Sequence, residues 1–204
     1  MTAVAEPVLI ERSDPRSIVG GGAILGVITA VGVVVFALVS RPMEGMAETV
    51  VQSLLVVVGG GVVAYFPSMR IQPRSVDSIA WTALTGLMGA LFFTAIDTAV
   101  LRPLDVYYWT WDAIGGGSGW WYVPVWWIGS AALAWLGGWV TANVAGGGSV
   151  SLPAIALQSM IITLVVFAIL VVTSISPFHA GTMALAVALG LVIHVVATSL
   201  MNRR

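Results

Sequence analysis

Six runs of apolar residues, each between 21 and 25 long, divide this chain of 204 residues. They are Ile18 to Ser40, Met46 to Phe66, Ser78 to Leu101, Trp120 to Val144, Leu152 to Thr173 and Ala180 to Met201. An α-helix needs about 20 such residues to cross roughly 30 Å of hydrocarbon. The runs take up about two thirds of the chain, so no connected remainder approaches the roughly 50 residues of a small soluble domain. The expected fold is all-α: a polytopic integral membrane bundle of about six transmembrane helices, 18–204, behind a short tail, 1–17.

Composition points to the same solvent. Charged residues make up 8% of the chain and hydrophobic ones 59%, whereas an ordinary globular domain carries roughly 25% charged residues. Lipid must replace water over most of the surface. Nine acids and eight bases leave a net charge of −1 and no basic patch, so nucleic acid is not an expected partner. The chain has no Cys, which excludes disulfide scaffolds, thiolate metal sites and thiol chemistry. It also has no Lys, so a Schiff-base cofactor and a phosphate-binding P-loop are excluded too.

The arginines set an expected orientation. Arg12, Arg16, Arg70, Arg74, Arg203 and Arg204 fall on one side of the six-span scheme, and only Arg41 and Arg102 on the other. Basic residues in short loops favour the cytoplasm, which places both termini there, most simply in a prokaryotic plasma membrane. The N-terminal stretch carries Glu6, Glu11 and Asp14 and lacks a basic start. The first run also exceeds the 7 to 15 residues of a cleaved signal, so it reads as a retained helix.

Small residues mark candidate contact faces. Gly22 and Gly26 form a small-xxx-small pair, and Ala180, Ala184 and Ala188 repeat the spacing. In lipid such faces hold helices together by close backbone approach, within the chain or between copies. Gly59, Gly60 and Gly61 fall within the second run, each costing about 1 kcal/mol of helix propensity relative to Ala. They mark either a broken helix with a substrate site or a point of close packing. The fifth run has no matching interruption, which favours packing.

Polar groups in the runs are few. Asp97 is the one charge clearly inside a run, about 28 Å along the third from Ser78 and so near the outer interface, where Arg102 invites an ion pair. Gln52, Asn143 and Gln158 could join Asp97 and Arg102 in an intramembrane polar site, although amides more often bond across helices. His179 and His194 are 15 residues apart, about 22 Å in height and 60° around one helix, so they cannot share a metal. His194 is expected to be hydrogen-bonded in the bundle. No metal site and no cofactor is expected.

The outer segment between the third and fourth runs, 102–119, is rich in aromatics. Pro103 is placed to start a short helix whose apolar face is Leu104, Tyr107, Trp111 and Ile114, lying flat in the interface beside Asp105 and Asp112. Tyr107, Tyr108, Trp109, Trp111, Trp120 and Trp121 either anchor the chain at headgroup depth, as an aromatic belt, or form a docking surface for a lipid or a partner protein. Catalytic motifs such as Gly-x-Ser-x-Gly and His-Glu-x-x-His are missing, as is a deep carboxylate pair. The sequence therefore reads as a non-catalytic accessory or scaffolding subunit of a membrane assembly, in contact with lipids, other subunits or its own copies. A small oligomeric transporter or channel for a neutral or weakly polar solute is the alternative.

Overall fold

Every apolar run becomes a helix in the computed structural model, which describes residues 14–106, 122–145 and 151–201. The helices are α1 (Pro15–Ser40), α2 (Gly45–Ile71), α3 (Val76–Ile96, continued by a π turn, Asp97–Leu101), α4 (Tyr122–Ala145), α5 (Leu152–Val172) and α6 (Ala180–Met201). All except α4 are long and apolar enough to cross a membrane. The protein is thus a helical bundle of the integral membrane kind. The Trp- and Gly-rich α4, 24 residues long, packs in the same bundle against α3, α2 and α6.

Local chemistry explains most of the helix ends. Asp14 caps α1, accepting from the Ser17 amide at 2.8 Å, and Pro15 occupies the first turn, where its missing N–H costs nothing. Ser75 and Ser78 form a reciprocal capping box at the start of α3. Two ends differ from expectation. The apolar run of α2 stops at Phe66 before Pro67, yet the helix continues through the buried proline to Ile71, because packing around a membrane helix compensates the lost hydrogen bond. At Pro103 the expected helix does not begin: residues 102–105 make a turn in which Asp105 takes a left-handed φ of 47°. The remainder of that expected helix, and the loop glycines Gly115 to Gly117 and Gly146 to Gly148, lie outside the described residues.

Helix α2 touches all five others, with α1 and α3 on one side, α5 and α6 on the other, and α4 packed against α3 and α6 between them. The main core cluster joins α2, α4, α5 and α6 through Val57, Tyr65, Val140, Ile155, Phe167 and Leu191. A smaller cluster of Ala30, Phe93 and Leu101, with Trp126 against it, packs between α1, α3 and α4. Phe93 and Trp126 pack tilted, 5.7 Å between ring centroids.

Glycines set the closeness of the seams. A Cβ on Gly26 would sit 2.6 Å from Phe92 Cβ and 2.9 Å from the backbone of Gly89 and Phe93, and one on Gly22 would run into Met88. The pair read from spacing therefore packs α1 on α3 within the chain. The alanine repeat differs: Ala184 is exposed, and the small residues that α6 buries are Ala186 and Gly190 instead.

Candidate functional site

A hydrogen-bonded chain of interior polar groups links α2, α5 and α6. Tyr65, Ser159 and His194 are all buried. The Tyr65 hydroxyl meets Ser159 Oγ, and Ser159 Oγ lies 2.6 Å from His194 Nδ1. Counting donors gives the direction. If Tyr65 donates to Ser159 and Ser159 donates to His194 Nδ1, every proton on the two hydroxyls has an acceptor; the reverse order strands the tyrosine proton. His194 then carries its proton on Nε2.

The three residues are level. Each lies about 9 to 10 Å, six or seven residues, from the same end of its helix in the bundle. Nearer that end, Asn143 Nδ2 of α4 donates to Thr198 Oγ1 at 3.0 Å and to Ser199 Oγ at 2.9 Å. Thr198 in turn donates to the His194 carbonyl at 2.9 Å. Four helices are thereby joined by side-chain hydrogen bonds toward one end of the bundle, at two successive depths.

A cavity of about 10 Å³, the space one water centre needs, adjoins this chain between Gly60, Gly61, Tyr65, Ser159 and Thr163. Helix α2 runs unbroken past the glycine triplet, so the expected alternative of a break in the helix is not what this structure shows. Gly60 is a packing point, where a Cβ would lie 2.8 Å from Val187 Cγ1, while Gly59 and Gly61 face open space. A shallow apolar groove of about 200 Å³ between α1 and α3, lined by Pro15, Ile18, Trp81 and Met88, opens outward.

The other polar residues are dispersed rather than joined into one path. Asp97 is fully buried, and its Oδ2 accepts from Arg102 Nε at 2.8 Å. The π turn makes this pair: Arg102 N bonds Asp97 O at 2.9 Å, which stacks residues five apart that an α-helix would splay. Arg41 Nη2 donates to the carbonyls of Asp105 and Val106, tying the α1–α2 turn to the same corner. Trp127 Nε1 donates to Thr94 nearby. Gln52 bonds Glu48 and Ser40 near the N-terminal end of α2, away from Asn143. Gln158 is exposed on α5.

His179 is exposed, and its Nδ1 accepts from the Gly181 amide at 3.0 Å, so the two histidines serve separate local bonds. The aromatic candidates Tyr107, Tyr108, Trp109, Trp111, Trp120 and Trp121, with Asp112, lie outside the described residues. Sequence reasoning missed Tyr65 and Ser159. Nothing in their spacing joins them, since Tyr65 and Ser159 are 94 residues apart.

Fold and site together define a multi-pass helical membrane protein whose interior polar groups bond one another or backbone carbonyls, with the buried hydroxyls of Ser53 and Ser68 left without a partner among the described residues. The sequence matches no family model, and neither the curated proteins nor the solved structures offer a match.

Proposed function

We propose that this is a non-catalytic membrane protein that serves as an accessory or scaffolding subunit of a larger membrane assembly. The observation that carries the reading is the use of the interior polar groups. Tyr65, Ser159, His194, Asn143 and Thr198 bond across helices, the first two beside a cavity that fits about one water, and buried Asp97 is paired locally with Arg102. The outward faces are broad and apolar, and suit contact with lipid and with other membrane subunits. The Trp- and Tyr-rich outer segment and the exposed small-residue face of α6 are the proposed docking elements. In this reading both termini are cytoplasmic, following the arginine bias.

Gentle solubilisation from the native membrane, then mass spectrometry of what is retained, tests the proposal. Different membrane chains should accompany this one in constant ratio. Recovery with no different chain beside it, together with thermal stabilisation by an added solute, overturns it. The second reading, a small oligomeric transporter for a neutral solute, rests on the cavity beside Gly60 and Gly61. It needs that cavity to widen in another state.

A further inference from the structure

The outward face of α5 carries a feature that lipid does not accommodate by itself. Its buried face is Ile155, Ser159, Thr163 and Phe167, against α6 and α2. On the opposite side Ala154, Gln158, Ile161, Val165, Ala168 and Val172 are all exposed. Their spacing is 4, 3, 4, 3 and 4, the period of a heptad seam, and they span about 80° of arc. One member is an amide. Gln158 is about 9 Å, six residues, into a helix of 21 residues, with Ala154, Leu157 and Ile161 around it. Its side chain has two methylenes and lacks the long stem by which Lys or Arg reaches the interface. An amide held in hydrocarbon costs free energy until it finds a hydrogen-bond partner.

We infer that this seam is a homodimer interface, in which α5 packs on α5 of a second copy and Gln158 bonds the same residue across a two-fold axis. The choice of a second copy follows from the chemistry of the amide. A carboxamide holds both a donor and an acceptor, so it is complementary to itself. A two-fold axis along the membrane normal brings identical residues together at identical depth, giving the isologous contact that a closed pair requires. Ala154 and Ala168 flank the amide along the seam and let the two backbones approach, and a period of 3.5 matches the crossing of about 20° common in membrane bundles. A single polar residue in an apolar seam fixes register and copy number, here at two. The inference is independent of the subunit reading, because a pair of chains can act alone or within an assembly.

The absence of native Cys permits a clean test on the full chain in its membrane. Single Cys residues replace Ala154, Ile161, Val165 or Ala168 with Gln158 retained, or Val192 or Val196 on the exposed face of α6, and the membranes are treated with a mild oxidant. A disulfide needs Cβ atoms about 3.8 Å apart, so the seam positions should form a species of twice the chain mass while the α6 positions do not. In the Ile161→Cys background, Gln158→Leu should lower the dimer yield about 5- to 30-fold, the change that one interhelical hydrogen bond of model-peptide strength produces. The Leu variant keeps the helix apolar, and an unchanged thermal transition of the monomer shows that it folds. No cross-link at any seam position, equal cross-linking on α6, a cross-linked product with a different chain, or a yield indifferent to Gln158→Leu overturns the inference. Failure of the co-purification experiment leaves this outcome untouched.

Discussion

The two sides of α2 are held by different physics. Where α1, α3 and α4 meet, the seams close through glycine: Gly22 and Gly26 against α3, Gly89 against Leu25, Gly86 against Ala134 and Ser130, and Gly138 against Thr82. On the α5–α6 side, glycine contributes Gly60 and Gly190, and the chain of Tyr65, Ser159 and His194 adds directional bonds. Lipid supplies no hydrophobic force between helices, so association depends on close contact and on hydrogen bonds. The bundle relies chiefly on the first on one side, where single bonds such as Trp127 to Thr94 and Ser130 to the Gly86 carbonyl accompany it, and adds a connected chain of the second on the other. The difference teaches what each side tolerates: glycine seams are sensitive to volume, the polar side to the loss of a donor or acceptor.

The largest effect should come from filling a glycine seam. Gly26→Leu places carbon against the backbone of Gly89 and Phe93, which cannot rotate away. Overpacking of this kind costs about 1–3 kcal/mol or more, so thermal unfolding in detergent should shift strongly downward. Gly32→Leu, with nothing within 4 Å of its Cβ position, should shift little; equal shifts would show that the seam is not the cause. Next in size is the polar side. A double-mutant cycle of Ser159→Ala and His194→Phe should give a coupling of about 0.6–1.7 kcal/mol, the range for hydrogen bonds between membrane helices. A coupling of zero would mean that Ser159 and His194 only fill space.

Smaller still, and opposite in sign, is relief of helix strain at a glycine that contacts nothing. Gly59→Ala should stabilise α2 by up to about 1 kcal/mol, since Gly59 faces open space and Ala is the better helix former. Destabilisation there would restore a local role for the triplet. The smallest effect concerns the α1 cap. Hydrogen bonds from Ser17 lower the Asp14 carboxyl below its ordinary 3.8. The cap is therefore intact above the unfolded value and is lost as pH falls through the lower folded one. The Ser17 amide resonance should titrate with a midpoint below 3.8, and a midpoint at or above that value would remove Asp14 from the cap.

How much of this was legible in the sequence depends on the range of the signal. A helix that must cross lipid writes its length into one contiguous run, so α6 begins at Ala180 and ends at Met201, as the run alone states. The ion pair of Asp97 and Arg102 was legible because the two residues share one short stretch, although the π turn that joins them was not. The end of α2 was not legible, since the apolar run stops at Phe66 while the helix continues through Pro67 to Ile71 under the tertiary packing of α2. The hydrogen-bonded chain was illegible for a related reason. Tyr65, Ser159 and His194 are each ordinary within their runs, and only the arrangement of helices brings them together. Gln52, Asn143 and Gln158 had been grouped by type, and the fold separates them to different depths and faces.

The close fit of α1 on α3 has a consequence for how the chain is made. Helix α2 emerges between these two neighbours, so α1 enters the membrane with its glycine face still unfilled. The end of α3 follows the end of α1 by 61 residues, which at roughly 5–20 residues per second is about 3–12 s of synthesis. During that interval lipid, the insertion machinery or α2 must cover Gly22 and Gly26. The bundle becomes closed on that side only when the third helix arrives, so a ribosome stalled before Val76 leaves two helices that cannot complete their own packing.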